Sequence, residues 1–337
     1  MKEDDAVLLD HGAGGKASHA MFSDLILPLF HNPLLARQDD GAVCEMPAGR
    51  MAFSTDSYVV DPIFFAGGNI GDLAVNGTVN DIAMCGAAPL YISAGLIIEE
   101  GLPLRDLKRI LETMARAADT AGVSIVTGDT KVVPRGKADK IFINTSGVGI
   151  IPLGVDVSGS RAVPGDKIIL SGTMADHGIA ILTARENLAF DTVLATDSAP
   201  LNHMVAAITA SGCDIHVLRD PTRGGVGTTL NEIAVRSKAG MTLYERALPV
   251  KDAVRGVCEL LGFDPLYIAN EGKLIAVVPE RDARQVLEII RADRFGADAA
   301  VIGEVTDRDP GRVFLQTAVG GLRPVDMLTG DQLPRIC

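Results

Sequence analysis

The chain ends in a cysteine, Cys337, and a thiol at the end of a chain can move between a pocket and a second protein. Arg335 would favour the nucleophilic thiolate, whereas the terminal carboxylate opposes it. Gly330 and Pro334 interrupt the preceding segment, which has no apolar periodicity. These features predict a mobile tail over 329–337, which reaches at most ~30 Å when extended. A buried or ordinary surface thiol is the competing interpretation.

Aspartates in polar motifs form a second set of candidate residues. They follow predicted strands or lie on a predicted helix over Asn69 to Cys85, where Asp72, Asn76 and Asn80 recur every four residues and share one face. Carboxylate and amide oxygens that meet in a cleft are the ligands that Mg²⁺ prefers. Capping and solvated surface acids are the alternatives for each residue alone. The candidate metal ligands are Asp56, Asp81, Asp129 and Asp220.

Two glycine-rich segments could contact phosphate groups. The first, His11 to Lys16, lacks the spacing of a P-loop, because Asp10 stands where the first glycine should be and Ala17 where Ser or Thr should be. The second, Arg219 to Gly227, joins a predicted strand to a helix start, whose backbone N–H groups favour an anion. The candidate phosphate or nucleotide contacts are Gly14, Gly15, Lys16, Asn76, Thr222, Arg223, Gly224 and Gly225.

Acid–base chemistry has two further candidates. Glu271 precedes a predicted buried strand and could act as a base or a metal ligand, with a turn acid as the alternative. Lys131 could neutralise a phosphate or a developing negative charge, although a solvated loop lysine has the same sequence signature. His177, which precedes a small-residue helix, is interpreted as a hydrogen-bonded cap-region histidine rather than a catalyst.

The composition bounds the class of protein. A length of 337 residues predicts two domains, and a hydrophobic content of 47% is enough for substantial cores. The net charge of -12 and the lack of a basic stripe argue against nucleic-acid binding. The dispersed cysteines lack a C-x-x-C pair, which argues against a zinc site or disulfide framework. Without a visible signal peptide or an apolar run of membrane length, we expect a cytoplasmic protein with no membrane contact.

Hydrophobic patterning predicts two α/β halves with a cleft between them. Residues 1–50 are expected to form a loose glycine-rich arm, 51–155 an N-terminal ATP-binding and dimerisation domain, and 156–328 a C-terminal domain. Predicted strands cover 51–54, 91–98, 123–126, 140–151, 167–170, 215–218, 274–278 and 299–305. Predicted helices cover 69–85, 104–121, 178–185, 201–211, 225–237, 251–261 and 280–292.

The motifs in this order resemble the superfamily of aminoimidazole ribonucleotide synthetase, selenophosphate synthetase and thiamine-monophosphate kinase. The set spans essentially the whole chain, and the terminal Pro-Arg-Ile-Cys is typical of the hydrogenase-maturation branch. It comprises His11 to Lys16, Ser54 to Ser57, Asn76 to Gly86, Gly128 to Val132, Asp220 to Gly225, Asn270 to Gly272 and Pro334 to Cys337.

The resemblance implies a two-domain α/β (α+β) fold of the aminoimidazole ribonucleotide synthetase type, with a homodimer through the N-terminal halves. It also implies ATP and Mg²⁺ in a cleft, and a carbamoyl group placed on Cys337 by the carbamoyltransferase HypF. Dehydration of that thiocarboxamide to a thiocyanate would supply a HypC–HypD complex with the cyanide ligands of nickel–iron hydrogenase. Such an enzyme is a hydro-lyase, with Cys337 as tether, Glu271 as base and Lys131 as charge stabiliser.

Two other functions remain open at this stage. The first is a small-molecule ATP-dependent synthetase or kinase of the same fold, although no cysteine lies in the glycine-rich arm, where the selenophosphate branch carries Cys or Sec. The second is a non-catalytic carrier that presents Cys337 to partners. Activity without the tail would favour the first, and failure to bind ATP would favour the second.

Overall fold

The computed structural model describes residues 5–13, 15–39, 41–188, 190, 192–330, 333 and 335–337, so Gly14 and Pro334 lie outside the described residues. The helices are α1 (Lys16–Met21), α2 (Leu27–Leu29), α3 (Ile70–Met84), α4 (Leu104–Ala121), α5 (Asp176–Arg185), α6 (Asn202–Ala210), α7 (Gly225–Ser237), α8 (Asp252–Leu261) and α9 (Glu280–Ala292). The strands are β1 (Arg50–Tyr58), β2 (Phe64–Phe65), β3 (Gly68–Asn69), β4 (Ala88–Glu99), β5 (Ser124–Val133), β6 (Ile141–Ile151), β7 (Lys167–Leu170), β8 (Val217–Arg219), β9 (Gly240–Tyr244), β10 (Ile275–Val278), β11 (Ala300–Thr306), β12 (Val313–Gln316) and β13 (Leu322–Val325).

The first half is a four-stranded sheet in the order β1-β6-β4-β5, covered on one face by α3 and α4. Helix α4 forms because its large apolar residues recur at helical spacing and become buried on one side of the helix. It ends at Gly122, whose φ of 70° suits a glycine C-cap. Helix α3 is buried on nearly all sides, since it also contacts the second half through Ala83 and Met84.

The opposite face of this sheet, here called the outer face, has no covering layer among the described residues of this chain. Strand residues alternate between the two faces, and the outward set on β1 and β4 includes large apolar side chains. Met51, Phe53 and Ile97 are 59%, 62% and 44% exposed. An apolar sheet face of this kind is typical of a surface that packs against another protein.

The second half is a seven-stranded sheet in the order β13-β12-β9-β11-β7-β10-β8 with helices on both faces. Helix α7 packs on one face, and α6 and α9 pack on the other. The central strands β7 and β10 are continuous apolar runs because both of their faces are buried. The pairs are antiparallel except β12 with β9.

The expectation of a loose N-terminal arm is wrong for most of its length. A π-helical turn, Phe22–Ile26, joins α1 to α2, and Met21, Ile26 and Phe30 are buried in the core of the first half. Val7 is fully buried and exchanges backbone hydrogen bonds with Leu102 and Gly101. The glycine-rich start favoured a loose arm, but burial of these apolar side chains stabilises the segment.

The predicted helices and strands are confirmed as elements, with shifts of a few residues at their ends. The prediction missed β9, β12, β13 and the short β2–β3 pair, because they are short or carry mixed polar patterns. No helix in the described part of the chain is long and apolar enough to span a membrane. None of the five cysteines, all of which are described, forms a disulfide.

Candidate functional site

Three of the predicted metal ligands meet where the two halves face each other. Asp56 projects from β1 toward α3, Asp81 lies on the last turn of α3, and Asp220 directly follows β8. Ser54 donates a 2.6 Å hydrogen bond to Asp81 Oδ2. Burial, followed by the negative charge of Asp81, raises the pKa of Asp220 to about 7. The negative charges of these neighbouring carboxylates repel one another, and a bound cation would reduce that repulsion.

Glu271 lies beside these aspartates and is almost completely buried. Among the described residues, its Oε1 has no hydrogen-bond partner. Burial and the nearby carboxylates, Asp197 first, raise the pKa of Glu271 well above its ordinary value. An acid of this kind is suited to holding a proton taken from a substrate nitrogen.

An ion pair that the sequence analysis missed lies next to Glu271. Asp197 accepts a 3.0 Å hydrogen bond from the Glu271 backbone N–H, and its other oxygen lies 3.2 Å from Lys273 Nζ. Burial opposes ionisation of Asp197, but the positive charge of Lys273 holds the pKa of Asp197 below its ordinary value. The available signal was Lys273 itself, because a lysine entering an apolar strand requires a buried carboxylate.

The polar face predicted on α3 exists and contacts the segment 196–199 of the second half. Asn76 Nδ2 donates to Ser198 Oγ at 3.0 Å, and Asn80 Nδ2 donates to the carbonyl oxygens of Ala199 and Glu271 at 3.0 and 3.2 Å. Asn80 Oδ1 accepts from the N–H of Leu201. These amides therefore join the two halves by hydrogen bonds. Unlike Asn80 Oδ1, Asn76 Oδ1 has no hydrogen-bond partner among the described atoms.

The predicted phosphate-binding loop lies beside the acidic residues. Gly224 and Gly225 have φ of 77° and 61°, and a Cβ on Gly225 would lie 2.6 Å from the carbonyl oxygens of Ile268 and Leu266. Only glycine fits there. Thr222 lines a cleft with Asp81 and Asp220, whereas Arg223 is exposed. The start of α7 thus directs its N–H groups to the region of the carboxylates.

Asp129 and Lys131 lie elsewhere, so the structure does not bring the four predicted aspartates together within one chain. Both are on β5, at the opposite edge of the sheet from β1, and they form a 3.0 Å ion pair with each other. Their strand partners Gly95 and Ile97 place both side chains on the outer face. Asp56 faces α3 instead, which the chain order of the motifs did not reveal.

The glycine-rich arm packs directly against this edge. A Cβ on Gly12 would lie 2.4 Å from the Val132 backbone nitrogen, so glycine is needed for the close approach. Gly15 precedes α1 and Lys16 is exposed at its start. Between the arm and β5 lies a cavity of about 350 Å³ with an apolar floor and a polar rim. Its floor includes Met21, Phe30, Leu35, Leu96 and Ile125, and its rim includes His11, Gly12, Asp129, Thr130 and Lys131.

The C-terminal residues are docked against the protein. The backbone N–H of Val59 donates to a terminal carboxylate oxygen of Cys337 at 3.0 Å, and the N–H of Asp61 donates to the Arg335 carbonyl oxygen at 3.2 Å. Ile336 is buried, and its carbonyl oxygen accepts a 2.6 Å hydrogen bond from His177 Nε2. The carbonyl oxygens of Arg335 and Ile336 and the terminal carboxylate of Cys337 therefore all accept hydrogen bonds from the rest of the chain. The mobility expected for 329–337 stays a prediction about other positions of the tail.

Arg335 is held on two sides. Its guanidinium lies 2.7 Å from Asp139 Oδ2, while Arg185 donates to the carbonyl oxygens of Arg335 and Asp61 at 2.8 and 2.9 Å. The guanidinium that the sequence analysis assigned to thiolate stabilisation is thus paired with Asp139.

Comparison with known proteins supports an assignment. The family model described as AIR synthase related protein, N-terminal domain, matches residues 38–151, and its C-terminal counterpart matches 163–316. The carbamoyl dehydratase HypE of Azotobacter vinelandii is 52% identical over 98% of this chain and 97% of its own length. The chain belongs to the HypE family of carbamoyl dehydratases, within the AIR synthase related proteins.

Solved HypE structures have the same fold. One in complex with ATP matches at a TM-score of 0.95 with 53% identity, covering 98% of this chain and 99% of that one. The HypE of a HypE–HypF complex matches at 0.81 with 48% identity, covering 91% and 99%. The resemblance to this family, the two-domain α/β fold and the enzyme class predicted from the sequence are therefore confirmed.

The donor set of this HypE family member suits Mg²⁺ only together with further ligands. Within the described residues, no three His, Cys, Asp or Glu side chains form a ready-made metal centre. However, Asp56, Asp81 and Asp220 interact electrostatically, and their mutual repulsion would be relieved by a cation. Three hard oxygen donors in an open cluster suit a metal that also needs phosphate and water ligands.

Proposed function

We propose that this protein uses ATP to dehydrate a carbamoyl group carried on the Cys337 sulfur, giving a thiocyanate that is passed on for nickel–iron hydrogenase maturation. The docked C-terminus is the observation that carries the proposal. The segment 196–199 contacts both ends of the site, since Thr196 bonds to His177 beneath the tail and Asp197 bonds to Glu271.

The reaction needs an activated oxygen and a base. The amide oxygen is a poor leaving group, and transfer of the γ-phosphoryl group of ATP to it makes a good one. Loss of phosphate from carbon and of both protons from nitrogen then leaves a nitrile. Glu271 is the proposed base, because burial raises its pKa and so makes its ionised carboxylate a stronger proton acceptor. The tether to Cys337 raises the effective concentration of the amide at the site.

Asp56, Asp81 and Asp220 are proposed to hold Mg²⁺, with Asp129 as a fourth ligand from a second copy of the chain. When bound, the ion supplies charge neutralisation at the phosphate oxygens. Thr222, Arg223, Gly224 and Gly225 are proposed phosphate contacts at the start of α7, and Asn76 offers an amide oxygen that lacks a partner. A substrate N–H or hydroxyl group could satisfy that oxygen.

The nucleotide base is proposed to enter the cavity between the arm and β5. Its floor is apolar, its volume of about 350 Å³ suits a purine, and Lys131 lies at its rim. Gly14, Gly15 and Lys16 of the glycine-rich arm would then lie close to the phosphates. Lys131 is proposed to stabilise the charge that develops on the transferred group.

A homodimer would bring the cavity of one copy close to the carboxylates Asp56, Asp81 and Asp220 of the other. The outer face exposes Met51 and Phe53, and a second copy packed on it about a two-fold axis along the strands would place β5 of one copy opposite β1 of the other. Asp129 lies one residue from the row that joins Asp56 across the sheet. Such a dimer would bring Asp129 and Lys131 of one copy to the level of Asp56 of the other.

The partners follow from the chemistry of the tail. A thiocarboxamide on Cys337 needs a carbamoyl donor, and we propose a carbamoyltransferase of the HypF type, since a relative of 48% identity has been solved as a HypE–HypF complex. The cyano group is proposed to pass to iron on a HypC–HypD complex. No nucleic-acid or membrane contact is part of the proposal.

Intact-mass measurement tests this function. After incubation with the carbamoyltransferase, the protein should gain one carbamoyl group on Cys337 and, on addition of Mg-ATP, lose one water. Cys337→Ser should show neither change, whereas the control Cys213→Ser should behave as wild type. Carbamoylation without ATP-dependent loss of water would leave a carrier, and turnover of ATP with the tail removed would favour a small-molecule enzyme.

A further inference from the structure

We infer that His177 is a positioning residue for the tail, with its Nε2–H holding the Ile336 carbonyl oxygen so that the Cys337 side chain is presented at the site. The inference rests on the proposed function for its catalytic consequence. It goes beyond that function by assigning a role to a histidine that the sequence marked only as a cap.

The hydrogen bonds of His177 leave its ring one orientation. The Nε2···O distance to Ile336 is 2.6 Å and the Nδ1···Oγ1 distance to Thr196 is 2.8 Å. A carbonyl oxygen can only accept, so Nε2 carries the proton and Nδ1 accepts from the Thr196 hydroxyl. The hydroxyl oxygen in turn accepts the Ser198 N–H at 3.1 Å. The tautomer is thus fixed by a residue outside the tail.

Packing also restricts the orientation of the His177 ring. His177 is fully buried in the first turn of α5, with its ring edge-on to Phe65 at a centroid distance of 5.9 Å. Burial lowers the pKa of His177, which keeps the imidazole neutral and the Nδ1 lone pair available. Gly178, the next residue, packs so closely on Ile268 that a Cβ there would lie 2.5 Å from its Cγ2. The ring therefore has little freedom to follow a displaced tail.

The same segment links the tail to the base. Thr196 orients His177, and its neighbour Asp197 accepts the backbone N–H of Glu271. A displacement of 196–197 would disturb the tail contact and the base together. We therefore expect loss of the His177 contact to slow dehydration more than carbamoylation, because carbamoylation requires the tail to reach another protein.

The test compares donor and non-donor replacements. His177→Leu removes the donor, whereas the amide of a His177→Gln side chain can occupy the Nε2 position and still donate to Ile336. Single-turnover dehydration of the carbamoylated protein at saturating Mg-ATP should slow at least about tenfold in His177→Leu, about 1.4 kcal/mol. The Gln variant should recover most of the rate, and the ATP concentration for half-maximal rate should stay unchanged.

His203→Leu is the matched control, since His203 Nε2 lies 3.0 Å from the Thr120 carbonyl oxygen, away from the tail. It should dehydrate at the wild-type rate. Thr196→Val and Thr196→Ser provide a second pair in case His177→Leu does not fold. Val removes the hydroxyl that fixes the tautomer and should slow dehydration, while Ser should restore it. Equal rates in the Leu and Gln variants, or in the Val and Ser variants, would overturn the inference.

A readout without ATP separates this inference from the proposed function. The alkylation rate of Cys337, followed on the C-terminal peptide by mass spectrometry, should rise several-fold in His177→Leu and stay near wild type in His177→Gln. If wild-type protein never loses water, the proposed function fails, but the alkylation rates still decide the role of His177. Unchanged alkylation in His177→Leu would show that this side chain does not hold the tail.

Discussion

Asp56 and Asp129 lie on opposite edges and opposite faces of the same four-stranded sheet. Asp56 pairs with Thr145, Thr145 with Ala94, and Ala94 with Gly128, the neighbour of Asp129. Three inter-strand spacings amount to roughly 14 Å, so one chain cannot bring both carboxylates to one metal ion. A site that contains both Asp56 and Asp129 would therefore need two copies of the chain.

A charge on the outer face should therefore break the proposed dimer. Phe53→Asp places a carboxylate on a side chain that is 62% exposed in one chain but would be buried between two sheets. We expect monomers by sedimentation or light scattering, with ATP-dependent dehydration lost. Val235→Asp is the control, because Val235 is 61% exposed on α7, away from this face. A Phe53→Asp protein that remains dimeric would contradict the proposed packing.

Mixing two inactive variants should restore activity if the site combines two copies. Asp81→Asn removes a proposed metal ligand, and Lys131→Met removes a proposed charge stabiliser from the other edge. Each protein alone should dehydrate poorly, while subunit exchange creates dimers in which one of the two sites has both intact residues. Partial recovery of dehydration should appear in single-turnover assays. No recovery despite demonstrated exchange would place all the residues of the site in one chain.

The sequence predicted the long elements well because their periodicity reflects burial in the structure. Helix α4 is the clearest example, since every predicted apolar position from Leu104 to Ala118 is buried. Strand β13 was missed because it lies at the edge of the sheet and is mostly exposed, and β12 because it has only four residues. The arm was misjudged because residues such as Val7 and Met21 are buried by distant parts of the chain.

The site was predictable by residue type but not by position. Glu271 and Asp220 were identified because each occurs in a polar motif beside an apolar strand. That Asp129 faces away from them depends on sheet order, which the sequence does not specify. Likewise, the partner of His177 lies 159 residues away along the chain. No local pattern could have indicated that the residue holds the tail.

Glu271→Gln should separate the two halves of the reaction. The amide keeps the size of the side chain but cannot accept a proton, so carbamoylation of Cys337 should proceed and dehydration should fall by roughly 10²–10⁴-fold, the range for a general base. Intact mass reports both steps in one experiment. Glu304→Gln is the control and should leave both steps unchanged, because Glu304 lies near the end of β10 that is far from Glu271. Normal dehydration in Glu271→Gln would assign the base elsewhere.

The crowded carboxylates should make the protein without Mg²⁺ less stable as the pH rises. Burial and Asp81 raise the pKa of Asp220 to about 7, so the folded state binds its proton more tightly than the unfolded state. Between the unfolded value near 4 and about 7 the folded chain carries more protons, and this contribution to stability is lost as pH increases. Asp220→Asn cannot ionise, and it should unfold at a higher temperature than wild type at pH 8.

The free energy of unfolding of Asp220→Asn should exceed that of wild type by on the order of 1–3 kcal/mol at pH 8, after allowing for the partial exposure of Asp220. This difference should vanish near pH 4. Glu304→Gln should show the opposite sign, because hydrogen bonding to Lys167 lowers the pKa of Glu304. Its stabilising contribution is present above the unfolded pKa and is lost as pH falls, so this variant should be less stable than wild type at pH 8. Thermal unfolding of the three proteins from pH 4 to 8 measures both effects. Equal shifts in both variants would mean that the carboxylates around Asp220 do not destabilise one another.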